Sequence, residues 1–347
     1  MNQQPFFSIV MPAYNCEKTI GKTIESIQDQ QWQDFELIII NDGSTDKTGK
    51  VINSFTKKDD RITLITIPNG GPGNARNKGI DQASGFYLVL LDADDALPQE
   101  TLQTYANYLK QKNPDLIISS YEMQVMDGKE LVDKRVVQVS EQWIPNHTLF
   151  LERLYPLMEK QLMYVIWNKV YKLDIVKENN IQFPPYSSCE DRLFNIGYYH
   201  QVKTCQVLNN ILYHYSFDGK NSLTNKFLPN KFETFEEFYV ALLNLTTKNI
   251  AGSSALFLKG TMSCIIPFHS EECPYSFSKK LKEIKRILRN DHVNKAVKYS
   301  ATNSLIRKVM TGLFKSKSVI INYIASFIMY KISHVSPKVI EKIKGNF

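Results

Sequence analysis

Three carboxylates within four residues, at Asp92-Ala93-Asp94-Asp95, form the group in this chain best suited to do chemistry. Held so close, they repel one another unless a cation or hydrogen-bond donors compensate them. Oxygen ligands without cysteine favour Mg2+ or Mn2+, ions that often bridge protein carboxylates to substrate phosphates. A second group, Gly70-Gly71-Pro72-Gly73-Asn74-Ala75-Arg76-Asn77, is a glycine-rich turn opening a helix that carries Arg76 and Lys78. Backbone N–H groups at that helix start, with two cations one turn inside it, suit a phosphate or pyrophosphate. Two further clusters, Pro12-Ala13-Tyr14-Asn15 and Asn41-Asp42-Gly43-Ser44-Thr45-Asp46, read equally as site residues or as turn and cap chemistry. On the same grounds Asp94 or Asp95 would cap a following helix.

The elements that must position these clusters are legible as short apolar runs. Phe6–Met11, Phe35–Ile40, Ile62–Ile67, Tyr87–Leu91 and Asp115–Ser119 are almost continuously apolar, as expected of strands covered on both faces. Helical stretches separate them at Glu17–Gln31, Thr45–Thr56, Gly73–Ala83 and Pro98–Gln111. Such alternation predicts a parallel, doubly wound α/β sheet, in which ligands bind beyond the carboxyl ends of the strands. The acidic cluster follows the fourth strand, and the two turn-like clusters follow the first and second. The middle of the chain is mixed, with a helix expected at Leu149–Met163 and strand-like pieces at Tyr164–Tyr171 and Ile211–Tyr215. Beyond Lys231 the pattern turns helical, with expected helices at Phe232–Leu245, Phe277–Arg289 and Ser304–Phe314.

With 347 residues, 43% of them hydrophobic and 22% charged, the chain has the composition of a folded protein with a substantial core, which excludes intrinsic disorder. Five widely spread cysteines without a C-x-x-C pair argue against a disulfide framework or a zinc site and fit a reducing, cytosolic compartment. The polar start Met1–Pro5 and the early Pro12 give no export signal. The net charge of +7 is uneven: Pro274–Phe347 holds sixteen Lys and Arg against three Asp and Glu, a balance of +13, so residues 1–273 carry −6. In that basic end, Ser304–Phe314 sets Leu305, Ile306, Val309 and Leu313 on one side with Arg307 and Lys308 beside them. Val319–Tyr330 is nearly all apolar but too short to span a bilayer. A segment of this kind suits an anionic membrane surface, and equally a helical subdomain or the interface of a homo-oligomer. It lacks a nucleic-acid reading motif, and no nucleic-acid partner is expected.

Taken in order, Ser8-Ile9-Val10-Met11-Pro12-Ala13-Tyr14-Asn15, Asn41-Asp42-Gly43-Ser44-Thr45-Asp46, Gly73-Asn74-Ala75-Arg76-Asn77 and Asp92-Ala93-Asp94-Asp95 resemble the family 2 glycosyltransferases of GT-A fold, of bacterial cell-envelope type. The likeness continues more loosely through Trp167-Asn168-Lys169, Glu190-Asp191 and Tyr213-His214-Tyr215. It implies a Rossmann-like, mostly parallel catalytic domain over residues 1–225, with a nucleotide-sugar half at 1–120 and an acceptor half at 121–225. A smaller, mainly helical and basic region follows at 226–347. By the same resemblance Pro12, Ala13, Tyr14 and Asn15 would line the nucleotide, with Asp42 accepting from uracil N3–H. Gly71, Asn74, Arg76 and Lys78 would serve the donor phosphates, and Asp92 and Ala93 the ribose or donor sugar. Asp94, with Asp92 and His214, would hold Mn2+ or Mg2+, although a lone histidine between tyrosines reads equally as a structural residue. Trp167, Asn168 and Lys169 would meet the acceptor, although an aromatic at Trp167 reads equally as one buried in a strand, and Asp191, with Glu190 as alternative, would be the catalytic base. Two departures stand out: Asn41 replaces the first of two acids usual before the Gly-Ser, and Ser216 stands where relatives often carry Arg, which would pass the diphosphate contact to Lys220 or Ser222.

These roles add up to an inverting, metal-assisted transfer from a nucleotide-sugar donor, a UDP-sugar being favoured, to a glycan or lipid-linked acceptor. Inverting transfer needs a base for the acceptor hydroxyl, a cation for the leaving diphosphate, and in-line placement of the two. The enzyme would work in the cytoplasm, at or near the inner face of the membrane. A nucleotidyltransferase would use a similar sheet and acidic cluster, and a non-catalytic sugar-nucleotide-binding subunit would keep the fold. Glu190 and Asp191 read alternatively as a favourable helix start.

Overall fold

The computed structural model describes residues 4–127, 130–218 and 227–335. The chain divides into two compact units, Met1–Asp218 and Gly219–Phe347.

The first unit is built on a nine-stranded sheet. Its first half alternates strand and helix: β1 (Phe7–Ala13), α1 (Ile20–Gln28), β2 (Phe35–Asp42), α2 (Thr48–Thr56), β3 (Ile62–Ile67), α3 (Pro72–Gln82), β4 (Tyr87–Leu90) and α4 (Thr101–Lys112). The second half holds β5 (Leu116–Asp127), β6 (Glu130–Val137), β7 (Gln142–Ile144), α5 (His147–Glu159), β8 (Lys169–Lys172), α6 (Leu173–Glu178), α7 (Glu190–Tyr199) and β9 (Cys205–Asp218). Spatially the strands run β3-β2-β1-β4-β8-β5-β9-β7, with β6 beside β5. The first four are mutually parallel, with Phe7 opposite Phe35 and Tyr87. Beyond them the sheet becomes mixed. The four-residue β8 enters antiparallel between β4 and β5, β5 and β9 run parallel, and β6 and β7 pair antiparallel to β5 and β9.

The apolar runs explain the order of the core. Ile9, Val10, Leu37, Ile39, Ile40, Leu88 and Leu90 are all buried, and helices cover both faces of the strands that carry them. Helix α3 lies so close to β1 that a Cβ on Gly79 would stand 2.3 Å from Val10 Cγ1. Replacing Gly79 by Ala forces α3 off the sheet, and an overpacked core contact of this kind costs about 1–3 kcal/mol. A lowered urea midpoint for G79A measures it; an unchanged midpoint would contradict the close approach.

The second unit is helical: α8 (Lys231–Leu245), α9 (Ile250–Ile265), a short 3-10 turn (Ile266–His269), α10 (Phe277–Leu288), α11 (Asp291–Tyr299), α12 (Leu305–Lys315) and α13 (Val319–Val335). Helices α9 and α11 are additions to the sequence expectation. The segment Ile250–His269 is the one helical stretch among the described residues long and apolar enough to cross a membrane. Much of its surface is buried within its own unit, where Phe257 stacks on Tyr239 at a ring separation of 4.0 Å.

Candidate active site

Loops at the carboxyl ends of β1, β2 and β4 meet the N-terminal ends of α3 and α7. The first two loops are stapled together by polar side chains. Asn15, at φ 47, accepts on Oδ1 from Thr45 N (2.8 Å), while its own N–H donates to Ser44 Oγ (3.1 Å). Cys16 N donates to Thr48 Oγ1, and Lys47 N to Glu17 Oε2. Asn41 takes Ser44 N on Oδ1, the service that an acid there would give. Tyr14 remains half exposed, whereas Ala13 is buried.

Asp42 is also buried, and its two oxygens accept from Gly70 N and Gly71 N, each at 2.8 Å. The carboxylate therefore shapes the glycine turn. Gly71 there takes φ 87, a left-handed conformation that glycine adopts without strain. Each carboxylate oxygen has a second lone pair, so a contact with a nucleobase N–H stays chemically open.

The Asn74-Ala75-Arg76-Asn77 stretch turns inward toward the second half of the unit. Asn77 clamps the backbone of Phe183, donating Nδ2 to its carbonyl and accepting its N–H, both at 2.9 Å. Arg76 is buried. Its guanidinium reaches Asp92 Oδ1 at 2.7 Å, Asp191 Oδ1 at 3.2 Å and Glu190 Oε1 at 4.0 Å. One buried cation thus joins the acidic loop after β4 to the acidic start of α7. Cys189, the residue before α7, holds φ 63, a left-handed backbone that costs a non-glycine residue about 1–2 kcal/mol.

Burial is the main influence on these acids. It pushes the Asp191 carboxyl up to about 7; Arg76 opposes the shift, while Glu190 and Asp92 add to it. Glu190 is raised too, again chiefly by burial. The Asp94 side chain reaches solvent, yet the surrounding protein and then the charge of Asp92 push it up to about 6. Among the described residues no cation pairs with Asp94. Asp95 is different: buried, it accepts from Tyr213 Oη (2.5 Å) and Ser216 N (2.7 Å), and so ties the acidic loop to β9.

The geometry places several of the residues singled out in the sequence as follows. Arg76 faces three carboxylates, and its buried Nε has no hydrogen-bond partner. Lys78 lies on the solvent side of α3 beside Asp81, at 4.0 Å, away from the inward face of Gly73, Arg76 and Ile80. His214 does not join Asp92 and Asp94. Alternation along β9 turns Tyr213 toward Asp95 and pairs His214 with Glu122 of β5, whose charge acts on it together with Lys134. Among the described residues no three His, Cys, Asp or Glu side chains are grouped as a metal cage.

Trp167, Asn168 and Lys169 are buried. Trp167 stacks on Tyr213 (4.3 Å) and Tyr215 (5.2 Å), so its ring is packed in the core. Asn168 donates to the Ser119 and Leu162 carbonyls, and the Lys169 ammonium donates to the Leu162 and Val165 carbonyls and to Asn168 Oδ1. These residues tie down the turn before β8. Lys220 and Ser222 lie outside the described residues.

Residues 8–178 match the family model described as Glycosyl transferase family 2. The chain is similar to EpsJ of Bacillus subtilis, an uncharacterized glycosyltransferase, with 28% identity over 85% of this chain and 87% of EpsJ. It is 26% identical to the poly(ribitol-phosphate) beta-N-acetylglucosaminyltransferase TarS of Staphylococcus aureus, over 69% of this chain and 40% of TarS. Among solved structures, S. aureus TarS 1-349 in complex with UDP-GlcNAc superposes with a TM-score of 0.68 at 20% identity, covering 94% of this chain and 91% of that one. The match thus takes in most of EpsJ but less than half of full-length TarS. Residues 8–178 thus form a family 2 glycosyltransferase domain, which makes the chain a glycosyltransferase, and its first unit has the GT-A fold.

Proposed function

We propose that this protein transfers a sugar, with inversion, from a UDP-sugar to a hydroxyl of an anionic cell-envelope polymer of the polyol-phosphate kind or of a lipid-linked glycan. The observation that carries the reading is the Arg76 fork, which puts the Asp92 side of the acidic loop and the Asp191 carboxylate within reach of one guanidinium. A donor site and a base held that closely suit a single displacement at one carbon. The likeness to TarS supports the donor and acceptor classes, since TarS is named for transfer to poly(ribitol-phosphate) and its fragment binds UDP-GlcNAc.

In this reading Pro12, Ala13 and Tyr14 line the base, with Asn15 holding their loop on Thr45. Asp42 orders Gly70 and Gly71 and keeps lone pairs for uracil N3–H. Asn74 stands over the glycine turn on the phosphate side, and Asp92 and Ala93 lie by the ribose and donor sugar. Asp191 takes the proton of the acceptor hydroxyl at its carboxylate oxygen, with Glu190 beside it.

Asp94 fits a divalent ion. It is a hard oxygen donor without a counter-cation, its charge is disfavoured by its surroundings, and Asp92 is adjacent. Such an ion, Mn2+ or Mg2+, takes one or two protein carboxylates and leaves its other positions to phosphate oxygens and water. When bound it supplies positive charge to the departing diphosphate.

Thermal unfolding with UDP-GlcNAc, with and without Mn2+, tests the donor assignment. Ligand at a hundred times its Kd raises stability by about 2.7 kcal/mol. The metal-linked part of that gain should vanish in D94A, while the small gain from UDP alone persists. No response to any uridine nucleotide, in either buffer, would overturn the donor assignment. The anomeric configuration of the product, read by NMR, tests inversion separately.

A further inference from the structure

Helix α13 is arranged inside out for a helix packed on a protein. Its two fully buried positions are polar: Asn322 donates to the Leu313 and Ser318 carbonyls, and Ser326 lies against His269 Nε2 at 2.8 Å, with the half-buried Tyr323 and Tyr330 rings beside them on His269. Its outward positions are Ile320, Ile321, Ile324, Phe327, Ile328 and Ile332, and Ile324 and Ile328 are each 51% exposed. The spacing of three and four makes these one continuous apolar stripe. Monomeric proteins rarely leave such a patch to water.

The second observation is a cavity of about 320 Å3 at the first turn of α13. It is lined by Lys285, Leu288 and Arg289 of α10 and its end, Asn294 of α11, and Lys317 and Val319 at the α13 entry. Among the described residues no carboxylate pairs with Lys285, Arg289 or Lys317. Three cations and an amide around one opening suit a phosphate. From Leu305 to Ile332 the sequence carries Arg307, Lys308, Lys315, Lys317 and Lys331 and no acid.

We propose that the second unit docks on an anionic bilayer, the α13 stripe lying in the headgroup–acyl boundary and the Lys285–Arg289–Lys317 cavity taking a lipid phosphate. The charges choose this occupant over a second copy. Antiparallel pairing of two α13 stripes about their midpoint brings Lys331 within about one helical turn of Lys317 of the other copy, and parallel pairing sets each lysine against its own copy. Helix α13 carries no acid of its own to offset the repulsion, whereas a surface of lipid phosphates attracts the exposed Lys308, Lys315, Lys317 and Lys331. The inference is independent of the donor chemistry proposed above.

The test is vesicle co-sedimentation of the full chain. Wild type should partition roughly a hundredfold more strongly into phosphatidylcholine vesicles holding about 30 mol% phosphatidylglycerol than into pure phosphatidylcholine. The stripe variant I324E/I328E, whose substituted positions are exposed, should lose this partitioning while keeping its unfolding temperature. The cavity variant K285Q/K317N should lose most of the preference for phosphatidylglycerol. Equal partitioning of wild type into both vesicles, or unchanged partitioning of the stripe variant, would overturn the proposal. So would a wild-type dimer by light scattering that I324E/I328E converts to monomer with no vesicle binding in either form. Stabilisation by inorganic phosphate, lost in K285Q/K317N, without any vesicle binding would point to a free-phosphate site and overturn docking as well.

Discussion

Replacing Asp191 by Asn should lower turnover by roughly a hundred- to ten-thousand-fold, the range spanned by removal of a positioned general base. The amide keeps the shape of the side chain but cannot accept the acceptor's proton, so the loss falls on kcat while the Kd for UDP stays near wild type. Stability moves the other way. Burial raises the Asp191 carboxyl to about 7, so folding favours its protonated form over the charged one. That contribution is fully present below the unfolded carboxylate range and is lost as pH rises through the folded value. At neutral pH and above, the asparagine removes a charge that the fold disfavours, and D191N should unfold at the same temperature as wild type or higher. Loss of activity with retained or increased stability distinguishes a base from a structural acid. If D191N turns over at the wild-type rate, Asp191 has no part in the chemistry, and E190Q becomes the variant to measure.

The donor half was legible because its physics is local. Runs such as Phe35–Ile40 are buried on both faces and apolar throughout most of their length, and the polar clusters following them fall at a sheet edge whatever the rest of the chain does. The acceptor half was less legible because its polar residues lie in the core. Nothing in Trp167-Asn168-Lys169 tells that Asn168 and Lys169 spend their donors on the Ser119, Leu162 and Val165 carbonyls, since those partners become neighbours only on folding. Helix α9 escaped because Gly252, Ser253, Ser254 and Gly260 dilute its apolar pattern; small residues there let it pack closely, with Phe235 against Gly260.

Two placements follow from periodicity alone. With Tyr213 turned to Asp95, the period of a strand puts His214 on the other face. In α3 the period of a helix sets Arg76 with Gly73 and Ile80 on the inner side and leaves Lys78 outside. The shared use of Arg76 by Asp92 and Asp191 was beyond reach, because 115 residues separate Arg76 from Asp191.

Replacing Arg76 by Met should have the second large effect, on stability and on the pH profile together. Asp92, Glu190 and Asp191 would lose the one cation they share, and removing one partner of a buried ion pair costs about 3–5 kcal/mol. Asp92 and Asp191 keep 27% and 28% of their side chains exposed, which places the cost near about 3 kcal/mol. In a unit of this size that is a fall of roughly 6–12 °C in Tm. Lysine should rescue only part of it, because an ammonium is a point charge and cannot reproduce the fork between Asp92 and Asp191. The kinetic consequence has a definite sign. Arg76 holds the Asp191 carboxyl below where burial alone would put it, so its loss moves that group further up. The acid limb of kcat then shifts to higher pH, and R76M regains activity on the alkaline side relative to neutral pH. A merely structural arginine would lower Tm at every pH and leave the limb in place, and that result would separate Arg76 from the chemistry of Asp191.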